Sequence, residues 1–505
     1  MNWPVAKRAG VCLHLTSLPG SFGIGELGSN ARWFIDRLKE AGLHAWQFLP
    51  LGPTAYADSP YQPLSSFAGN PLLVDTETLV DQQLLRSHEI SSLEQLPHNT
   101  VDFGKLIPLK TALLRKAATR FATHASPAAR TAFDEFLHLH DDDWLADYAL
   151  FRVLKTMHAE RPWTQWEPNF RHRDRAALAG IEARYAAEVH SEKIIQFFFD
   201  RQWRGIHQYA SDQGVTLFGD VPIYIAHDSA DAWTGSDILQ LDDDGQPTHV
   251  AGVPPDYFSA DGQLWGNPVY DWEFLEKSHF GWWVNRFRHA MTLMDLLRVD
   301  HFRGFEAYWS IPFGARTARD GQWVNAPGDA LFSTLRQELG ELSVVAENLG
   351  VITPEVEKLR TDHDIPGMVV LQFDAAEPDF DVAAIDEHTV VYTGTHDNDT
   401  TTGWFNGGPG DTRTDAEIEE HQRLVTHNTG GEPQRIHLDM IELAFASAAR
   451  LAVVPMQDFL GLGSETRMNT PGTESDNWRW RLTRPQFDSG LADTIAMMVA
   501  DGGRD

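Results

Sequence analysis

The chain predicts an α/β protein, a (β/α)8 barrel of the TIM type with mostly helical subdomains inserted between its strands. Two observations carry that expectation: eight short apolar, β-branched runs recur, and helix-like stretches separate most of them. Near-continuous apolar runs alternating with helices are the pattern of parallel strands buried on both faces. Eight such units suit a closed barrel better than an open doubly wound sheet.

The runs are 11–18 (VCLHLTSL), 44–51 (HAWQFLPL), 215–225 (VTLFGDVPIYI), 295–305 (DLLRVDHFRGF), 342–349 (LSVVAENL), 368–374 (MVVLQFD), 389–397 (TVVYTGTHD) and 451–460 (LAVVPMQDFL). Helical patterns fit between them. Residues 28–41 start at a Ser29 or Asn30 cap and stop at Gly42; 192–213 stop at Gly214; 438–449 lead into the eighth run. The interval 52–190 is too long for a barrel loop and holds helical patterns at 105–122 and 143–160, so it reads as an inserted helical subdomain. Smaller insertions are expected at 226–280 (a substrate-covering loop region), 306–328 and 400–437. The whole chain, 1–505, reads as a single catalytic barrel.

Composition narrows the function. At 42% hydrophobic residues over 505 positions, a large core can form. The net charge of −31 argues against nucleic acid, whose phosphates require clustered Lys and Arg, and against anionic membrane surfaces. The single cysteine, Cys12, cannot form an intramolecular disulfide and reads as a buried strand residue. With no apolar signal core at the N-terminus and no long apolar run, a cytoplasmic protein is expected. Seventeen tryptophans are consistent with core packing and also with flat rings set against sugars.

In such a barrel the active site lies at the C-terminal ends of the strands. Asp220, Asp300, Glu347, Asp397 and Asp458 fall at those ends, on separate runs. In Arg298-Val299-Asp300, period-two alternation puts Arg298 and Asp300 on one face. A guanidinium beside a carboxylate stabilises its charged form, which a nucleophile needs, although a purely structural pair has the same pattern. His301 falls on the other face by the same alternation. Glu347 ends the apolar run Val344-Val345-Ala346, a setting that suits a general acid, or else a Glu simply exposed at a strand end. His396 and Asp397 could bind sugar hydroxyls or cap a turn. Paired carboxylates in distinct environments are the equipment of glycoside chemistry. No metal or other cofactor is required, because Arg and His already supply positive charge.

Longer stretches then resemble one family throughout. They are Ser17-Leu18-Pro19-Gly20 with Gly23-Ile24-Gly25, Asp58-Ser59-Pro60-Tyr61-Gln62, Gly219-Asp220-Val221-Pro222-Ile223-Tyr224 and Gly252-Val253-Pro254-Pro255-Asp256-Tyr257-Phe258. Gln263-Leu264-Trp265-Gly266-Asn267-Pro268, Arg298-Val299-Asp300-His301-Phe302-Arg303-Gly304, Ala346-Glu347-Asn348-Leu349-Gly350, Thr395-His396-Asp397-Asn398-Asp399-Thr400 and Met468-Asn469-Thr470-Pro471-Gly472-Thr473 complete the set. The chain is similar in these to the amylomaltases, or disproportionating enzymes, the 4-α-glucanotransferases of glycoside hydrolase family 77. The resemblance implies a retaining double displacement with Asp300 as nucleophile, Glu347 as acid/base and Asp397 as transition-state stabiliser. It places Arg298, His301, His396, Asp220 and Tyr61 around the donor sugar, with Asp256, Gln263, Trp265 and Asn267 on a covering loop and Asn469 and Pro471 on a facing one. It implies α-1,4-glucan and maltooligosaccharide donors, with glucose or a maltooligosaccharide as acceptor. The rivals are a plain α-glucan hydrolase with the same residues and a non-catalytic glucan-binding protein.

Other motifs point elsewhere and fail. Gly23-Ile24-Gly25-Glu26-Leu27-Gly28 fits a dinucleotide loop, but Gln47 and Phe48 stand where its acidic partner belongs. Asp242-Asp243-Asp244-Gly245 lacks the first and last ligands of a calcium loop and reads as an exposed turn. Asp141, Asp142 and Asp143, beside His138 and His140, suit the first turn of a helix. Phe197–Phe199, Trp282 and Trp283 read as helix packing.

Overall fold

The computed structural model describes residues 3–255 and 261–505. Eight strands form one parallel sheet: β1 (Arg8–Cys12), β2 (Ala45–Gln47), β3 (Thr216–Val221), β4 (Leu296–Val299), β5 (Val344–Ala346), β6 (Gly367–Val370), β7 (Thr389–Tyr392) and β8 (Leu451–Pro455). Their spatial order is β6-β7-β8-β1-β2-β3-β4-β5. The remaining seam is bridged where the Ala346 N–H donates to the Pro366 carbonyl (2.8 Å) and the Met368 N–H donates to Asn348 Oδ1 (2.8 Å). The sheet therefore curls into a (β/α)8 barrel.

Each of the eight expected runs overlaps its strand, but the strands are shorter. The apolar character persists past the last ladder bond into loops that remain buried. β1 also starts three residues early, at Arg8, and Leu15–Ser17 is a 3-10 turn rather than strand.

The helix Ser29–Glu40 has Gly28, not Ser29 or Asn30, in the capping position. A Cβ on Gly28 would lie 2.1 Å from Asp75 Oδ1, so close approach of the next segment selects glycine there. Gly42 (φ +68°) and Gly214 (φ +74°) end their helices in the left-handed region, where glycine carries no Cβ penalty. Edge-to-face rings then weld the barrel wall to its helices: Phe34 to Trp46 (5.0 Å), Trp46 to Phe48 (6.0 Å) and Phe48 to Trp203 (5.4 Å).

Between β2 and β3 the chain forms a helical layer that includes Phe103–His124, Pro127–His140 and Ala146–Met157. It docks on the long helix Ala186–Asp212, where Phe197, Phe198 and Phe199 are all buried. Asp141 opens a π-helical turn and pairs with Lys193 at 2.5 Å. Asp242–Gly245 is a turn closed by the Gly245 N–H on the Asp242 carbonyl (2.9 Å).

A second sheet was not legible in the sequence. Strands His249–Val253, Gln263–Pro268, Ala307–Pro312 and Gln322–Asn325 form it, antiparallel, in the order 263–268, 249–253, 307–312, 322–325. At the opposite end of the chain, the buried guanidinium of Arg504 donates to the carbonyls of Arg8, Ala444, Phe445, Ser447 and Ala449 at 2.8–3.1 Å. That single side chain laces the β1–β8 seam. Among the described residues no helix is long and apolar enough to cross a membrane.

Candidate active site

Strand register builds the site. β3 and β4 pair so that Asp220 stands directly opposite Arg298. Both are buried, and Arg298 Nη1 donates to Asp220 Oδ2 at 2.7 Å. Two residues on, past the end of β4, Asp300 receives the other arm of the same guanidinium, Nη2 to Oδ1, at 2.9 Å. One fork thus holds two carboxylates from neighbouring strands, a geometry that suits Arg and not Lys. Asp220 is completed by the Tyr61 hydroxyl, which donates to Oδ2 at 2.8 Å.

Glu347 follows the last residue of β5, partly buried in the barrel mouth. Its Oε2 accepts the His301 N–H (2.7 Å) and its Oε1 accepts the Leu349 N–H (2.8 Å), which fix the carboxyl against the loop that carries Asp300. Burial pushes Glu347 up to about 7; the charge of Asp300 adds to this, while Arg298 and the two backbone donors oppose it. Burial likewise pushes Asp220 up to about 7, against the pull of Arg298.

His301 departs from the alternation expected of a strand. It sits at φ +49°, ψ +51°, turning the chain sharply out of β4, and its ring lies edge-on to Trp265 at 4.8 Å. Burial pulls it down to about 4, so at neutral pH the ring is an uncharged hydrogen-bonding group. His396, after β7, stacks on Tyr61 at 4.9 Å with 15° between the planes, and its pKa is also lowered by burial. Its Nε2 is 3.4 Å from Asp397 Oδ2. Asp397 is about half exposed and accepts Asn469 Nδ2 at 2.6 Å.

The structure therefore brings Tyr61, Asp220, Arg298, Asp300, His301, Glu347, His396, Asp397, Trp265 and Asn469 into one connected group. Gln263 joins through Trp265, whose Nε1 donates to Gln263 Oε1 at 3.1 Å. Asn267 stands apart from open contact. It is buried, donating to the Ile225 carbonyl (2.9 Å) and accepting from Gln62 (3.0 Å), which makes it a support for the loop. Pro471 is exposed on the 469–473 loop. Asp256, with Tyr257 and Phe258, lies outside the described residues. Asp458, the fifth strand-end acid, does not share in the carboxylate group: its oxygens are occupied by the Thr393 and Thr401 hydroxyls and the Thr401 N–H at 2.6–2.7 Å.

Two residues escaped the sequence reading. Arg467 donates to the Asp397 carbonyl (2.6 Å) and the Asn469 carbonyl (2.7 Å), clasping the facing loop; its place just before Met468-Asn469 was the available signal. Trp478 is buried beside Tyr61 and His396, with ring centres 6.1 and 6.0 Å away, and no motif marks it.

A (β/α)8 barrel whose mouth gathers carboxylates, one bridging arginine, neutral histidines and aromatic rings defines the class of barrel enzymes that act on neutral, polyhydroxylated substrates. Comparison with known proteins narrows this. The family model described as 4-alpha-glucanotransferase (glycoside hydrolase family 77) matches residues 13–486. A 4-alpha-glucanotransferase of Synechocystis is 43% identical over 504 residues, 99% of this chain and 98% of that protein. One from Thermus thermophilus is 46% identical, over 94% of this chain and 95% of that protein. The solved structure of an amylomaltase from Streptococcus agalactiae in complex with acarbose superposes with a TM-score of 0.93 at 33% identity, covering 99% of each chain. The chain belongs to the 4-alpha-glucanotransferase family, and its reaction is α-glucan transfer rather than the plain hydrolysis of the rival reading.

Proposed function

We propose that the chain, acting as one catalytic unit with its insertions, moves α-1,4-glucan segments by double displacement through Asp300 and Glu347. Asp300 attacks the anomeric carbon of a bound maltooligosaccharide while Glu347 protonates the departing glycosidic oxygen, leaving a glycosyl ester on Asp300 and a shortened sugar. The 4-hydroxyl of an acceptor, glucose or another maltooligosaccharide, then loses its proton to Glu347 and attacks the same carbon. This restores the free Asp300 carboxylate and the protonated Glu347.

One arrangement supports the assignment: Arg298 holds Asp300, and the His301 and Leu349 N–H groups fix the Glu347 carboxyl against the loop that carries Asp300, where burial and the charge of Asp300 push it up to about 7. Forming the ester removes that charge, so Glu347 becomes a weaker proton holder when it must act as base. Arg298 aligns Asp300 through the fork it shares with Asp220. Asp397, held by Asn469, supplies negative charge for the oxocarbenium-like transition state. Tyr61, Asp220, His301 and His396 suit the donor sugar; Asp256, Gln263 and Trp265 suit the covering of the acceptor, with Asn267 supporting their loop and Pro471 flanking from the facing one. We place the reaction in the cytoplasm.

Incubation with maltotriose tests the reaction. A ladder of longer sugars with free glucose is expected; shorter sugars alone would mean hydrolysis, and unchanged maltotriose would mean a binding protein.

A further inference from the structure

We propose that the outward face of the four-stranded sheet, centred on Trp323, is a docking strip for polymeric α-1,4-glucan lying beside the catalytic cleft. The inference rests on the α-glucan reading above. Register puts Leu264, Gly252, Trp309 and Trp323 in one row across all four strands: Leu264 opposes Gly252, Gly252 opposes Trp309, and Trp309 opposes Trp323. Trp265, next along the chain from Leu264, falls on the other face by alternation, where it meets His301. On the same side Val250 and Ile311 are buried with Ala318, so the exposed rings border this small covered patch, and Phe313 lies just past the strand's last residue. Leu264, Trp323 and Phe313 are 43%, 39% and 54% exposed, large values for such side chains.

The rings are fixed in advance. Trp309 Nε1 donates to the Ala318 carbonyl at 2.8 Å, and Trp323 meets Trp309 edge-on at 5.2 Å. The Arg303 guanidinium lies 3.7 Å from the centre of the Trp323 ring and also donates to the Val351 carbonyl. Arg303 is three residues past Asp300 and Val351 four past Glu347, so the Trp323 ring is anchored to both catalytic loops. A pre-oriented flat ring costs little ordering on binding, and its apolar face matches the C–H face of a glucose unit. The nearby exposed charges Arg319 and Asp261 are paired with each other at 2.8 Å, which favours a neutral partner over an ionic one. A long glucan reaching beyond the cleft meets these conditions.

The test compares wild type, Trp323→Ala and Trp323→Phe by native electrophoresis through gels containing soluble amylose, and by transfer kinetics on amylose and on maltotriose. W323A should be retarded less than wild type and raise KM for amylose ~3–10-fold, the scale of one lost stacking contact, with kcat/KM on maltotriose held within ~2-fold and W323F intermediate. Unchanged mobility and amylose KM in W323A would overturn the strip. Equal losses on both substrates would also overturn it, as would a Trp323-dependent dimer in sedimentation that ignores amylose. A wild type that leaves maltotriose intact yet shows Trp323-dependent retardation would instead overturn the transfer reading and leave the strip standing.

Discussion

Replacing Asp300 by Asn should lower the pKa of Glu347, and the size of the fall follows from electrostatics. Glu347 is pushed up to about 7 by burial first, with the negative charge of Asp300 adding to it. Retaining enzymes hold their two carboxyls ~5–5.5 Å apart. At that separation and an effective dielectric of ~20, two unit charges repel by about 3 kcal/mol, equivalent to ~2 pKa units. Asp300 is about a quarter exposed, so solvent screening reduces this to ~1–2 units. Asn keeps the shape and an acceptor for Arg298 while removing the charge, as esterification would. The assay is an infrared titration of the 13C-labelled glutamate carboxyl, with the Glu347→Gln spectrum identifying its band. A Glu347 pKa that stays near 7 or rises in D300N would refute the view that the nucleophile's charge tunes the acid.

In the wild type, kcat/KM should fall along a basic limb centred near pH 7 as Glu347 loses its proton, and a limb that persists unchanged in Glu347→Gln would assign it elsewhere. E347Q should be inactive on maltooligosaccharides yet retain a measurable first step on maltosyl fluoride, whose leaving group needs no proton; equal loss on both would remove Glu347 from that role. Trp265→Ala should raise the fraction of cleaved bonds that end as reducing sugar, because it loosens the acceptor's hold while water stays abundant; an unchanged ratio in a normally melting variant would return Trp265 to a packing role. Arg298→Met should cost up to ~3–5 kcal/mol at pH 8, because Asp220, buried without its cation, must either stay charged or take up a proton from dilute solution. Because the folded-state pKa of Asp220 lies above its unfolded value, Asp220 is protonated at pH 5 and the loss should shrink there; a loss that grew toward acid pH, in denaturant titrations, would contradict the pairing.

The barrel was legible because each strand is buried on both faces, which writes a continuous apolar run into the sequence. The small sheet was not. Strands such as Gln263–Pro268 and Gln322–Asn325 are half exposed and carry Gly or Asn, and the pairing that joins their two hairpins, 249–253 with 307–312, links segments some 60 residues apart. Asp300 and Glu347 stood out because acids terminate apolar runs. Asp458 carried the same signal, yet two threonines consume it, and only three-dimensional partners separate the two cases. His301 shows where periodicity stops: its left-handed backbone ends the strand's alternation one residue after Asp300. Trp478 had nothing in its neighbourhood to mark it, since it reaches Tyr61 from more than 400 positions away.

The Arg504 clasp sets a timetable for synthesis. β1 pairs on one side with β2, made almost at once, and on the other with β8, more than 430 residues later. A nascent chain on the ribosome therefore carries β1 with an open, apolar edge until β8 is made, the condition that invites pairing with a stray strand. The seam can close only when Leu451–Pro455 has emerged, and it is locked only when Arg504 follows. A chain that has made Asp300, Glu347 and Asp397 but not yet Arg504 therefore holds its strand-end acids in an unlatched barrel, a state that chaperones and proteases act on.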